Sequence, residues 1–272
     1  MEAEPSKDKA SSKQQKEPSM LQTATAYRSL GESFKSRFEV IPALNDALKD
    51  EVYRLRHSVY CEDLQWEPVR PSGLESDEYD THSVHILLRH IATRENVGCV
   101  RMVLTRPNDP AFRLPFERVC DGKLYANVVK SDSLPRDKMA EISRLAIISK
   151  YRRRQGEAMH PAPATTQDFG TEAKPRFPYI LVGLYVGIVA MAKFLGIETL
   201  FVLTEPRLAQ HFKRLGVVEV KQIGDPIEHR GIRIPSLMPV DGIVSGFCMN
   251  PLIRPIYEPV YEQISSALRT FQ

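Results

Sequence analysis

Cysteine is sparse in this 272-residue chain, and the four that occur, Cys61, Cys99, Cys120 and Cys248, stand far apart. No C-x-x-C is present and no Cys/His group has zinc spacing, so the residues argue for free thiols in a reducing cytosol, and no metal is expected. Charge of one sign is also in short supply. A net charge of +3 makes no global field that would gather nucleic acid, so no nucleic-acid partner is expected. The N-terminus lacks the apolar core of a signal peptide, which agrees with a cytoplasmic location. The uncharged run from Phe177 to Ala192 is closed by Lys193 and falls short of the ~18–20 apolar residues of a membrane span, so it reads as a helix buried inside a soluble domain.

What is present is 42% hydrophobic residues, enough for the core of one large domain or two small ones. Residues 1–22 are rich in Ser, Lys, Gln, Glu and Pro and read as a disordered tail. Residues 23–35 suit a short helix, and Phe38–Ile41 reads as a strand stopped by Pro42. Leu48, Val52, Leu55 and Val59 form the core stripe of a helix over about 44–63, with Tyr53, Arg56 and Tyr60 on the neighbouring stripe. Strands follow at about 83–90 and 97–105, then a loop over 107–124 with one helical turn.

The central stretch begins at Glu141. Ile142, Leu145, Ala146, Ile147 and Ile148 make a β-rich apolar run that breaks into a basic turn through Lys150, Arg152, Arg153, Arg154 and Gly156. Residues 157–177 are rich in Pro, Ala and Thr without periodicity and read as a flexible insertion. A buried helix over about 178–195 and a strand at 199–203 come next. Pro206 to Arg214 suits a short helix ended by Gly216, strands are expected near 217–223 and 229–235, and a last helix over 257–271. Strands and helices mixed in this order predict an α+β fold, a central mixed β-sheet flanked by helices in a single domain over 23–272.

Four short motifs occur in series: Arg56-x3-Tyr60-x5-Trp66, Asp77-x2-Asp80, Gly98-x2-Arg101 and Glu141-Ile-Ser143-Arg144. The series resembles the acyl-homoserine-lactone synthases, which carry R-x3-F-x5-W, D-x-x-D, G-x-x-R and E-I-S-R in the same order. The likeness covers about residues 36–235. The long N-terminal tail, the insertion and the Arg-rich turn resemble more closely a sister group, the N-acyl amino acid synthases, including those associated with the PEP-CTERM/exosortase system. Tyr60 replaces the usual Phe of the lactone synthases, which keeps the ring and adds a hydroxyl.

The resemblance implies an acetyltransferase-like (GNAT, acyl-CoA N-acyltransferase) fold and an N-acyltransferase. The donor would be acyl-phosphopantetheine on acyl carrier protein, with no bound cofactor, and the acceptor an amino acid. The lipid product could associate peripherally with a membrane. Lactone synthesis from S-adenosylmethionine and a non-catalytic acyl- or carrier-binding module are the alternatives. Glu141, Ser143 and Arg144 are then the catalytic candidates, and Arg56, Tyr60, Trp66, Asp77, Asp80 and Arg101 the acceptor-binding ones, Arg56 offering a fork of donors to a carboxylate. Asp77, Asp80 and Arg101 read equally as a structural ion network. Lys150, Arg152, Arg153, Arg154 and Gly156 are the candidates for gripping the acidic carrier and its phosphate.

Residues three apart on a regular strand face opposite sides, so Glu141 and Arg144 can share one cleft only if the strand is irregular. A β-bulge near Ser143 is expected for that reason. An adjacent Arg144 would hold the Glu141 pKa down and make a water-relayed base the better expectation.

Overall fold

The computed structural model describes residues 30–109, 111–126, 135–152, 170–171, 174–175, 178–206, 208, 212, 215 and 220–271. The expectations for residues 1–22, most of 23–35, Arg153, Arg154, Gly156, Gly216 and most of the 157–177 insertion lie outside these residues.

Strand β1 (Phe38–Pro42) buries alternate residues, the period-2 pattern of a half-covered strand. Helix α1 (Asp46–Arg56) starts at Asn45, whose side chain accepts from the Leu48 N–H at 2.9 Å. It runs on as a wider π-helical turn over His57–Asp63, which carries Val59 and Tyr60 into the core. The expected helix therefore spans both segments, although its second half is underwound. Strands β2 (Ser83–His90), β3 (Asn96–Leu104) and β4 (Met139–Ile147) follow, with a one-and-a-half-turn helix α2 (Pro115–Val119) in the connection after β3.

Helix α3 (Tyr179–Phe194) is buried on every side from Leu181 to Ala192, as its uncharged sequence requires. After it come β5 (Thr199–Thr204), the two-residue strands β6 (Lys221–Gln222) and β7 (Ile227–Glu228), and β8 (Ile232–Pro239). Helices α4 (Val240–Met249) and α5 (Arg254–Phe271) end the described chain. The sheet order is β1-β2-β3-β4-β5-β8-β6, with β7 also on β8. Only the β4–β5 pair is parallel among these neighbours. Helices α3, α4 and α5 cover one face in the main core, and α1 covers part of the other with Leu87, Cys99 and Ala146.

Three expectations change. The strand expected over 229–235 begins only at Ile232 and runs on to Pro239, because Arg230 and Gly231 both take left-handed backbone (φ 54° and 96°) and reverse the chain after the short β7. Helix α4 was not foreseen: its Gly242 and Gly246 mask helical propensity that burial of Ile243 and Phe247 overrides. The last helix begins at Arg254 rather than Tyr257, since Pro255 is tolerated in a first turn. The α+β architecture with a mixed sheet stands.

Candidate active site

The bulge expected on β4 is present, one residue beyond Ser143. Ser143 lies opposite Arg101 and Ala146 opposite Cys99, so Arg144 and Leu145 together face Val100 alone. Arg144 carries the distortion in a left-handed backbone, φ 51°. A non-glycine residue there costs about 1 kcal/mol or more, which surrounding contacts must offset. Its guanidinium is held at 3.1 Å from Asp77 and 3.4 Å from Glu75 and Glu67, and lies 5.6 Å from the centre of the Tyr60 ring. The extra residue turns Arg144 to the face already occupied by Glu141 and Ser143.

Strands β4 and β5 pair only from Met139–Thr199 to Ile142–Val202, although both continue further. Between their unpaired ends opens a cleft of about 1400 Å³, its open mouth included. One wall is polar, with Arg101, Glu141, Ser143, Arg144, Tyr60 and Trp66; the other is apolar, with Ile188 and Val189 of α3, Val202, Met238, Ile243 and Phe247. The arrangement offers a greasy channel leading to a carboxyl group and a cluster of arginines.

Glu141 is buried, and its Oε2 accepts from the Phe116 N–H at 2.7 Å. Burial pushes its pKa up to about 8, against smaller downward pulls from that N–H, Arg101 and Arg144. Arg144 does pull it down as expected, but burial outweighs that pull and the net shift is upward. Arg144 spends its charge on Glu75, Glu67 and Asp77, and desolvation wins at Glu141. Near neutrality Glu141 is therefore mostly protonated, and the fraction able to accept a proton grows as pH approaches 8.

Arg56 is fully buried and does not line the cleft. Its buried guanidinium donates to Glu75 and, at 2.6 and 3.0 Å, to both oxygens of Asp80. Asp80 also receives Arg101 at 3.1 Å, and Asp77 receives Arg101 at 2.6 Å. These cations hold the Asp80 carboxyl well below the usual range. Arg101 Nε in turn donates to Ser143 Oγ at 3.0 Å. So Tyr60, Trp66 and Arg101 line the cleft, while Arg56, Asp77 and Asp80 stand behind it and fix Arg101 and Arg144. Tyr60 donates its hydroxyl to the Leu145 carbonyl at 3.1 Å and packs 6.1 Å from the Trp66 ring.

The expected carrier patch is also altered. The Arg152 side chain is buried and paired with Asp63, and Lys150 pairs with Glu95 at 2.7 Å; neither lines the cleft. All four cysteines are free, three of them buried. Among the described residues no helix is long and apolar enough to cross a membrane, and no group of three His, Cys, Asp or Glu side chains is placed to hold a metal.

The model of the acetyltransferase (GNAT) domain matches residues 55–161. The acyl-homoserine-lactone synthase of Pseudomonas fluorescens is 36% identical over 86 residues, which span 30% of this chain and 43% of that protein. That of Aeromonas hydrophila is 24% identical over 188 residues, 68% of this chain and 72% of that protein. Over these stretches the chain is similar in sequence to the acyl-homoserine-lactone synthases. Its fold is that of the crystal structure of TofI in a ternary complex with an inhibitor and MTA, with a TM-score of 0.53 at 20% identity, over 80% of this chain and 99% of TofI.

The acetyltransferase-domain match takes in Tyr60, Trp66, Arg101 and the Glu141–Arg144 segment, but ends before α3, β5 and β8. The charged and imidazole side chains of the cleft that sequence reading missed lie in this second half: Glu205, His229, Arg230 and Arg233. Their signal was the basic run His229-Arg230-Gly231-Ile232-Arg233, which reads as a plain strand until its turn is known.

Proposed function

We propose that this N-acyltransferase moves a long fatty acyl group from the phosphopantetheine arm of acyl carrier protein to the α-amine of an amino acid, giving an N-acyl amino acid. The observation that carries the reading is Glu141, a carboxyl group with its pKa raised to about 8, at the junction of an apolar channel and an arginine-lined pocket. An α-amine has a pKa of about 8, so such a base is matched to the proton it must take. The neutral nitrogen then attacks the thioester carbon. The C–N bond forms as the C–S bond breaks; Glu141 hands the proton it took from the ammonium to the departing sulfur, and the second proton lost by nitrogen leaves to solvent. A thiol pKa of about 8.5 makes that departure undemanding, which suits Phe212 in a position where many acetyltransferases carry a Tyr acid. Backbone N–H groups of β4 beyond Ile142, which β5 does not pair, are the candidates to bind the developing oxyanion.

The second reading, lactone formation from S-adenosylmethionine, is favoured by what the curated relatives are named. Incubation of the purified chain with palmitoyl-acyl carrier protein, the common amino acids and S-adenosylmethionine separates the two by mass spectrometry. An N-acyl amino acid is expected. An acyl lactone alone, or unchanged thioester, overturns the proposal.

A further inference from the structure

Two arginines from opposite sides of the split sheet meet on one carboxylate oxygen. Arg144 Nη2, from the bulge of β4, lies 3.4 Å from Glu67 Oε1, and Arg230 Nη2, from the turn between β7 and β8, lies 2.7 Å from the same atom. Both arginines line the cleft together with Glu141. Their side chains keep 21% and 32% of their exposure, whereas Arg56 and Arg101 keep 0% and 1% and Arg233 keeps 12%, so the first pair is the most open to a ligand of these five arginines.

The Arg230 side is built to hold its position. Arg230 has a left-handed φ of 54°, and Arg233 braces the turn by donating to the carbonyls of Arg230 at 3.0 Å and His229 at 3.2 Å. Arg233 is itself anchored on Glu205, and the guanidinium carbons of Arg230 and Arg233 each lie 5.9 Å from the centre of the Trp66 ring. Strain and bracing at a solvent-facing turn serve no packing purpose in the core. They hold one cation at a fixed reach from Arg144.

We infer that Arg144 and Arg230 form the clamp for the acceptor's carboxylate and that Glu67 is an internal carboxylate competing for it. The inference rests on the reading of an α-amino acid acceptor, whose carboxylate stands one carbon from the amine that must reach Glu141. Charge-assisted bonds from two directions suit a planar carboxylate better than the single shared oxygen and 3.4 Å contact that Glu67 provides. Arg230 is therefore a specificity-determining residue, and Glu67 sets the threshold a substrate must exceed.

The test is equilibrium titration of the full chain with N-dodecanoylglycine and with its neutral amide, alongside acyl-transfer kinetics with glycine and glycinamide. The wild type is expected to prefer the acid. Arg230→Met should bind the acid roughly tenfold more weakly, with a higher KM for glycine and the amide little affected, as for loss of one hydrogen bond to a charged group. Glu67→Gln should bind the acid tighter, by about threefold, a gain that damage to the fold cannot imitate. Equal binding of acid and amide by the wild type, or wild-type affinity in both variants, overturns the clamp. Turnover of glycine with an unchanged KM in Arg230→Met defeats the clamp and leaves the proposed reaction standing. Carboxylate-selective binding that depends on Arg230, without acylation of any amino acid, does the reverse.

Discussion

The Phe116 N–H donates to Glu141 Oε2 at 2.7 Å and ties the carboxyl of the central strand to the first turn of α2. That single backbone donor does not offset the burial of Glu141, which is why the carboxyl holds its proton up to about pH 8.

In the proposed reaction the deprotonated form does the work, so kcat/KM should rise with pH and level off above about 8. Glu141→Gln should lower the rate by ~10²–10⁴ and flatten the profile, measured as thiol release from the acyl thioester. Stability should move the other way. Between the ordinary value of 4.5 and about 8 the native chain keeps a proton that the unfolded chain releases, so unfolding becomes easier as pH rises through that window. Urea titrations at pH 5 and pH 8 should show Glu141→Gln losing less stability than the wild type; equal losses would contradict the buried-acid account.

His85 gives the opposite slope at lower pH. Its buried ring lies with Nε2 3.7 Å from Asp80 Oδ1, edge-on to Tyr53 at 5.7 Å, and burial pushes its pKa down to about 3 despite the Asp80 charge. Arg56 and Arg101, both bonded to Asp80, add to the push. The unfolded chain takes up a proton near 6.5 that the native chain refuses, so stability is full above 6.5 and falls as pH drops toward 3. His85→Phe should decline less between pH 6.5 and 4 in the midpoint of urea unfolding. A wild-type slope in that variant would place the acid sensitivity elsewhere.

Gly187 lets α3 approach the sheet. A Cβ there would stand 2.7 Å from Val40 Cγ1 and 3.1 Å from Ile86 Cγ2. The helix-propensity gain of about 1 kcal/mol for Ala over Gly is outweighed by an overpacking cost of about 1–3 kcal/mol. Gly187→Ala should therefore lower Tm, and Val40→Ala in the same chain should recover part of the loss, because the two sites share one contact.

Most of the fold was legible because its signals are local. The uncharged 177–192 run, the Leu48–Val59 stripe and the apolar segment after Glu141 each specify their element by pattern alone. The bulge could be foreseen because Glu141 and Arg144 could not otherwise share a face, a constraint carried by spacing. Arg56 and Arg152 were misplaced for one reason. An arginine's sequence neighbours do not say whether its partner is a ligand or Glu75 and Asp63, which arrive from 19 and 89 positions away. Arg230 and Arg233 were missed because their importance depends on a turn meeting Trp66 and Glu67 across 163 positions of chain.

The parallel ladder between β4 and β5 stops at Ile142–Val202 while both strands run on, each held by its other neighbour: β4 by β3 across the bulge, and β5 by β8 as far as Thr204. The wedge between them is consequently part of the folded backbone rather than something a ligand must prise apart. An acyl chain sliding into it displaces solvent from a surface already shaped, and the ordering that would otherwise oppose its arrival has been completed during folding.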